Sequence, residues 1–161
     1  MCIRLREDLN IKKMSEVEAT EILGWTYRAP YDFYNNTYSP EAVKEMIEGS
    51  YYTVFAADKG IIGFFCTGSA AQVPNDSYSY SDDYMDIGIG MKPEYTGQGN
   101  GRSFLAAVFS ELQISYENQP KRLTVAKFNR RAQSLYEKFG FRMKHEFSKG
   151  STEFIVMIQS N

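Results

Sequence analysis

The chain is poor in the residues that build metal sites and disulfide frameworks. Its 161 residues include two cysteines and a single histidine, His145. Cys2 and Cys66 are too few and too far apart for a disulfide scaffold. Cys66 ends the apolar run Ile61-Ile-Gly-Phe-Phe-Cys66, so a buried core thiol is expected there. One histidine without partners cannot make a metal site, and His145 reads as a surface strand residue. An excess of charge of one sign is also missing: 18 Lys and Arg stand against 20 Asp and Glu, a formal net charge of -2. This balance argues against nucleic acid as the main partner, because nonspecific affinity for it rests on a basic face. No apolar run approaches the roughly 20 residues that cross a bilayer, and the start Met1-Cys-Ile-Arg-Leu-Arg-Glu-Asp8 lacks the apolar stretch of a signal peptide. The expectation is a cytoplasmic protein with no metal, no membrane and no nucleic acid among its partners.

What the chain does have is apolar surface and alternating pattern. At 43% hydrophobic it has enough to bury a core, and no linker divides residues 1–161 into two domains. Ile11 to Met14 suggests a short strand, Ser15 an N-cap, and Val17 to Leu23 a helix; Ser39-Pro40 opens a second helix through Ile47, with proline at its permitted first position. Tyr51 to Ala57 and Ile61 to Thr67 form a hairpin turned at Asp58-Lys59-Gly60. Residues 70–83 read as a loop, followed by strand 84–91, helix 101–116, strand Leu123 to Lys127, helix 130–139, and closing strands Phe141 to Phe147 and Glu153 to Ile158.

Two motifs carry chemistry. Tyr95-Thr-Gly-Gln-Gly-Asn-Gly-Arg102 is a glycine-rich turn between a strand closed by Lys92-Pro93 and a helix striped by Phe104, Leu105, Val108, Phe109 and Leu112. Backbone N–H groups at such a helix start lack intrahelical partners and can hold a phosphate. Counted from Gly97, a dinucleotide fingerprint fails at Arg102, and a P-loop fails because Arg102-Ser103 follows Gly101. The second motif, Asn129-Arg-Arg-Ala132-Gln-Ser-Leu-Tyr136, runs on to Gly140-Phe141. Seven residues are two helical turns, so an amide and a phenol share one side if the helix begins near Asn129.

Taken together the motifs resemble those of the GNAT N-acetyltransferases. Gly99 and Gly101 match the small positions of the family's Q/RxxGxG/A signature, with Thr96 in place of its first Gln or Arg, and Asn129 to Phe141 is similar to the segment after its fifth strand. The resemblance implies an α/β (α+β) fold: a single domain with a mixed, mostly antiparallel sheet of six to seven strands, splayed central strands and about four helices. It implies acetyl-CoA as co-substrate, with the pantetheine arm laid along the fourth strand at Ile89, Gly90 and Met91. Its pyrophosphate would meet Gln98, Gly99, Asn100, Gly101, Arg102 and Ser103, and Asn129 would lie near the coenzyme.

The chemistry expected is attack of a primary amine, from a small molecule or peptide, on the thioester. Tyr136 would protonate the leaving sulfur, a phenol of pKa about 10 being a reasonable acid for a thiol of about 8.5. Asp86, in the pattern Asp86-Ile-Gly88, is the candidate base; Thr124 stands where members acting on a ribosomal protein's N-terminal alanine carry Glu, which counts against that acceptor. Within the aromatic segment Trp25 to Tyr34, the residues Tyr31, Phe33 and Tyr34 are expected to contact the acceptor, and the loop Gln72 to Asp83 to face it. The alternative is an acyl-CoA-binding regulator of the same fold that lost turnover. Oligomeric state stays open.

Overall fold

The structure, a computed structural model, describes residues 9–115 and 119–159; Cys2 and the start of the chain lie outside it. In chain order the elements are β1 (Leu9–Lys13), α1 (Glu16–Leu23), α2 (Pro40–Glu48), β2 (Tyr51–Ala56), β3 (Gly60–Thr67), β4 (Met85–Met91), α3 (Gly101–Ser115), β5 (Lys121–Ala126), α4 (Arg130–Lys138), β6 (Arg142–Lys149) and β7 (Thr152–Gln159). Seven strands form a mixed sheet in the order β1-β2-β3-β4-β5-β7-β6. The chain divides into two groups of packed elements, residues 9–66 with 89–115 and residues 67–88 with 119–159.

In the first group β1, β2 and β3 pair antiparallel, with a bulge between Val54 and Phe55. Met14, Ala19, Ile22, Leu23, Trp25, Val43 and Met46 form a buried cluster against which Tyr27, Tyr51, Ile61 and Phe64 pack. The helices begin where the capping residues predict. Ser39 Oγ accepts from the Ala42 amide at 3.0 Å, with Pro40 in the first turn. Ser15 occupies the corresponding place before α1 without a side-chain bond to the helix amides. On α3 the expected stripe is buried at Phe104, Leu105, Val108 and Leu112 and half-buried at Phe109. Cys66 is buried, as its apolar run predicts.

In the second group β4 and β5 run parallel, and their ladder joins only Met85, Asp86 and Ile87 to Lys121, Arg122 and Leu123. β5 is paired along its whole length, Lys121 to Ala126, with β7. Flanked by β5 and β6, β7 is buried continuously from Phe154 to Ile158, so both of its faces are covered there. β5 starts two residues before the expected Leu123, because backbone pairing takes in Lys121 and Arg122 despite their charge. Both are buried, at 2% and 0% exposure. β6 presents an exposed face, and His145 lies on it as expected.

Candidate active site

The turn ahead of α3 is shaped by its glycines. Gly97 and Gly99 have φ of 69° and 80°, the left-handed region that side-chain-bearing residues enter only at a cost. A Cβ built on Gly99 would meet nothing within 4 Å, so the space over this backbone is open. Short-range bonds hold the rest: Thr96 Oγ1 donates to the Pro93 carbonyl at 2.6 Å, Gln98 Nε2 to the Glu94 carbonyl at 2.6 Å, and buried Asn100 Nδ2 to the Tyr95 carbonyl at 3.2 Å. Thr96, the departure from the signature, thus secures the preceding turn. α3 then runs 15 residues from Gly101, and its first-turn amides and positive dipole end suit an anion. Arg102 and Ser103 are exposed on that first turn.

Ile89, Gly90 and Met91 end β4 half-buried. Gly90 is required by packing, since an added Cβ would stand 2.2 Å from the Phe64 ring. The Met91 carbonyl accepts from Tyr27 Oη at 2.6 Å, and burial pushes the Tyr27 phenol up to about 12. Of the aromatic segment, Trp25 belongs to the core and Tyr27 packs on it. Tyr31, Phe33 and Tyr34 lie instead on a 3₁₀ turn with no buried residue, Phe33 meeting Tyr34 edge to face at 5.1 Å.

In the second group Asn129 is the N-cap of α4 rather than a residue within it, and its Oδ1 accepts from the Ala132 amide at 3.1 Å. The amide that spacing aligned with Tyr136 therefore also starts the helix. Tyr136 is 9% exposed, its ring 6.2 Å from Phe141. Its carbonyl receives the amides of Phe139 and Phe141, which turns the chain through Gly140 (φ 92°) into β6.

Asp86 is engaged in a way the sequence reading does not anticipate. Arg122 Nε donates to Oδ1 at 2.6 Å and Arg122 Nη2 to Oδ2 at 2.8 Å, while Gln72 Nε2 donates to Oδ2 at 2.9 Å. Asp86 is 4% exposed and Arg122 0%. Three of the roughly four acceptor sites of this carboxylate are thus taken by a forked guanidinium and an amide. In this geometry the Asp86 carboxylate anchors Arg122. Burial opposes the guanidinium's charge, but the bond to Asp86 and its charge outweigh this, and Arg122 is held above the ordinary arginine range.

Arg122 also reaches the segment before β4. Nη2 donates to the Ser81 carbonyl at 2.9 Å and Nη1 to Tyr78 Oη at 3.3 Å, and the rings of Tyr80, Tyr84 and Tyr78 lie 4.9, 5.1 and 5.8 Å from the guanidinium carbon. Tyr80 Oη pairs with Thr124 Oγ1 at 2.9 Å and accepts from the Val73 amide at 3.1 Å. Burial raises the Tyr80 phenol, against these bonds. The position where Glu is absent therefore holds a hydroxyl fixed on Tyr80. Sequence reasoning missed Arg122, whose one signal was an arginine inside the apolar strand 121–126.

A family model described as an acetyltransferase (GNAT) domain matches residues 48–143, more than half of the chain. Among solved structures, a protein from Bordetella pertussis assigned to the GNAT family superposes with a TM-score of 0.73 at 12% identity, over 97% of this chain and 98% of its own. The GNAT-family acetyltransferase from Bacillus anthracis gives 0.64 at 15%, over 98% and 97%. A variant of the spermidine N-acetyltransferase SpeG from Vibrio cholerae gives 0.65 at 16%, over 95% and 94%. At such identities these likenesses bear on the fold alone. No sequence among curated proteins matches the chain significantly.

Proposed function

The chain belongs to the GNAT acetyltransferase family, and from that premise we propose that it moves the acetyl group of acetyl-CoA to a primary amine of a small molecule or peptide. The observation that carries the reading is the turn at Gly97 and Gly99, left-handed at both glycines, uncovered at Gly99 and leading straight into a 15-residue helix. It fits a pyrophosphate through backbone amides, with Gln98 to Ser103 as the contacts and Arg102 as a direct charge partner. Backbone groups of Ile89, Gly90 and Met91 are the proposed partners of the pantetheine amides, Tyr27 already holding the Met91 carbonyl. Asn129 is proposed to lie along the coenzyme as well.

Acetyl-CoA would supply the activated acyl group and a thiolate leaving group. Tyr136 gives that sulfur its proton, a role worth about 10²–10⁴-fold. Asp86 is assigned no base role, and the acceptor amine sheds its proton to solvent. Such a site serves amines with an appreciable neutral fraction: an α-amine near 7.7–8.0 qualifies readily, whereas at pH 7 a lysine-type amine near 10.4 is neutral in less than about one part in a thousand. Tyr31, Phe33 and Tyr34, on their exposed turn, are proposed acceptor contacts. The protein is proposed to work in the cytoplasm.

Replacing Tyr136 by Phe should lower turnover about 10²-fold or more while coenzyme affinity stays nearly intact. Thiol release across polyamines, aminoglycosides, amino acids and peptide N-termini measures it; unchanged turnover in the variant removes the acid role. Acetyl-CoA at 100 times its Kd should stabilise the fold by about 2.7 kcal/mol. Binding without thiol release from any amine would favour the regulator instead.

A further inference from the structure

Arg122 has more partners than an ion pair needs. Beyond Asp86 it bonds Ser81 and Tyr78 and lies against three tyrosine rings, every one of them in the segment before β4 or at its edge. That segment and the start of β4 line a cleft of about 520 Å³ whose walls include Gln72, Tyr80, Ser81, Asp82, Tyr84 and Asp86. A segment without helix or strand from Gln72 to Tyr84 would ordinarily sample many conformations. Here a single buried fork holds its two ends, Gln72 through their shared carboxylate and residues 78–84 directly.

We propose that Arg122 is a positioning residue that fixes the 72–84 segment as a wall of the acceptor-binding cleft, Asp86 serving as its counter-charge. The inference rests on the acetyltransferase reading for the word acceptor, and on the geometry alone for the ordering of the segment. Arginine is required because its planar fork meets both Asp86 oxygens while its remaining N–H groups reach Ser81 and Tyr78. A lysine would keep the charge and lose the fork.

Removing only one charge would strand its partner, so the decisive variant removes both: Asp86→Leu with Arg122→Met, a swap of a buried pair for apolar residues of similar bulk that is commonly neutral for folding. This double variant should melt within a few degrees of the parent and lose hydrogen-exchange protection at residues 72–84, the Val73 amide above all. Its KM for the amine should rise about tenfold, the loss of roughly one or two hydrogen bonds, with KM for acetyl-CoA unchanged. Arg122→Lys should show the same pattern, weaker. Parental protection and parental amine KM in either variant would overturn the proposal and leave the pair a core ion pair. If the parent protein releases no thiol with any amine, the acetyl-transfer reading fails. The exchange experiment still decides whether Arg122 orders the segment: loss confined to 72–84 upholds it and no loss overturns it.

Discussion

The turn that follows β4 and the segment that precedes it are both irregular chain, held in shape by different means. The turn is built from contacts within five residues: Thr96 to Pro93, Gln98 to Glu94, Asn100 to Tyr95, with left-handed glycines between. The segment has local bonds too, from the Ser77 and Tyr78 amides to Asn75 and from the Val73 amide to Tyr80, but adds contacts at separations of 36 to 44 residues, Arg122 to Asp86, Ser81 and Tyr78, and Thr124 to Tyr80. A turn shaped by its own backbone keeps helix-start amides for a ligand. The segment is held instead by a charged pair on β4 and β5, Asp86 and Arg122. The anion cradle proposed for one and the wall proposed for the other call for these different solutions.

The comparison breaks most visibly at Arg122. Arg122→Ala leaves Asp86 buried and uncompensated and should cost about 3–5 kcal/mol in urea unfolding; a loss below about 1 kcal/mol would show that water reaches Asp86. Gly99→Ala should cost only about 1–2 kcal/mol, since strain at φ of 80° is its one penalty and nothing crowds the new methyl. Valine there costing no more than alanine would confirm the open space. Asn129→Ala removes another short-range contact, the α4 cap, and should cost about 1 kcal/mol by thermal melting.

The smallest effect belongs to a partly exposed pair, Lys12 and Glu18 at 3.1 Å, set against the buried one. Burial works to raise the Glu18 carboxyl, but hydrogen bonds from Ser15 and Lys12 and the Lys12 charge outweigh it and hold it below its ordinary 4.5. A carboxyl lowered by folding contributes its stability in full above 4.5, and loses it as pH falls through the folded value. Glu18→Gln should cost less than about 1 kcal/mol at neutral pH, and that loss should fade as pH drops through the folded value, flattening the curve. A larger loss at pH 4 than at pH 7 would reverse that sign.

Where local rules operate, sequence and structure agree closely. Pro40 behind Ser39, the Asp58-Lys59-Gly60 turn and the period of α3 place their elements within a residue or two, because capping, turn chemistry and amphipathic period act over a few positions. The candidate site was legible to the same extent. The glycine turn and a helix start near Asn129 follow from spacing, whereas the bonds between Asp86 and Arg122 do not. An aspartate in a strand looks alike whether it faces an amine or an arginine. Tyr31, Phe33 and Tyr34 could not be told from Trp25 for a related reason: aromatic residues pack and bind with the same surface, and only Trp25 turned inward.

By itself the sequence determined the glycine turn, the helix that follows it and the tyrosine on α4, since each depends on backbone preferences a few residues long. Only the tertiary structure decided what Asp86 bonds to. A carboxylate's role is set by whatever charge folding brings within about 3 Å of it, and Arg122 arrives on β5 because the parallel ladder with β4 aligns residue 86 with residue 122.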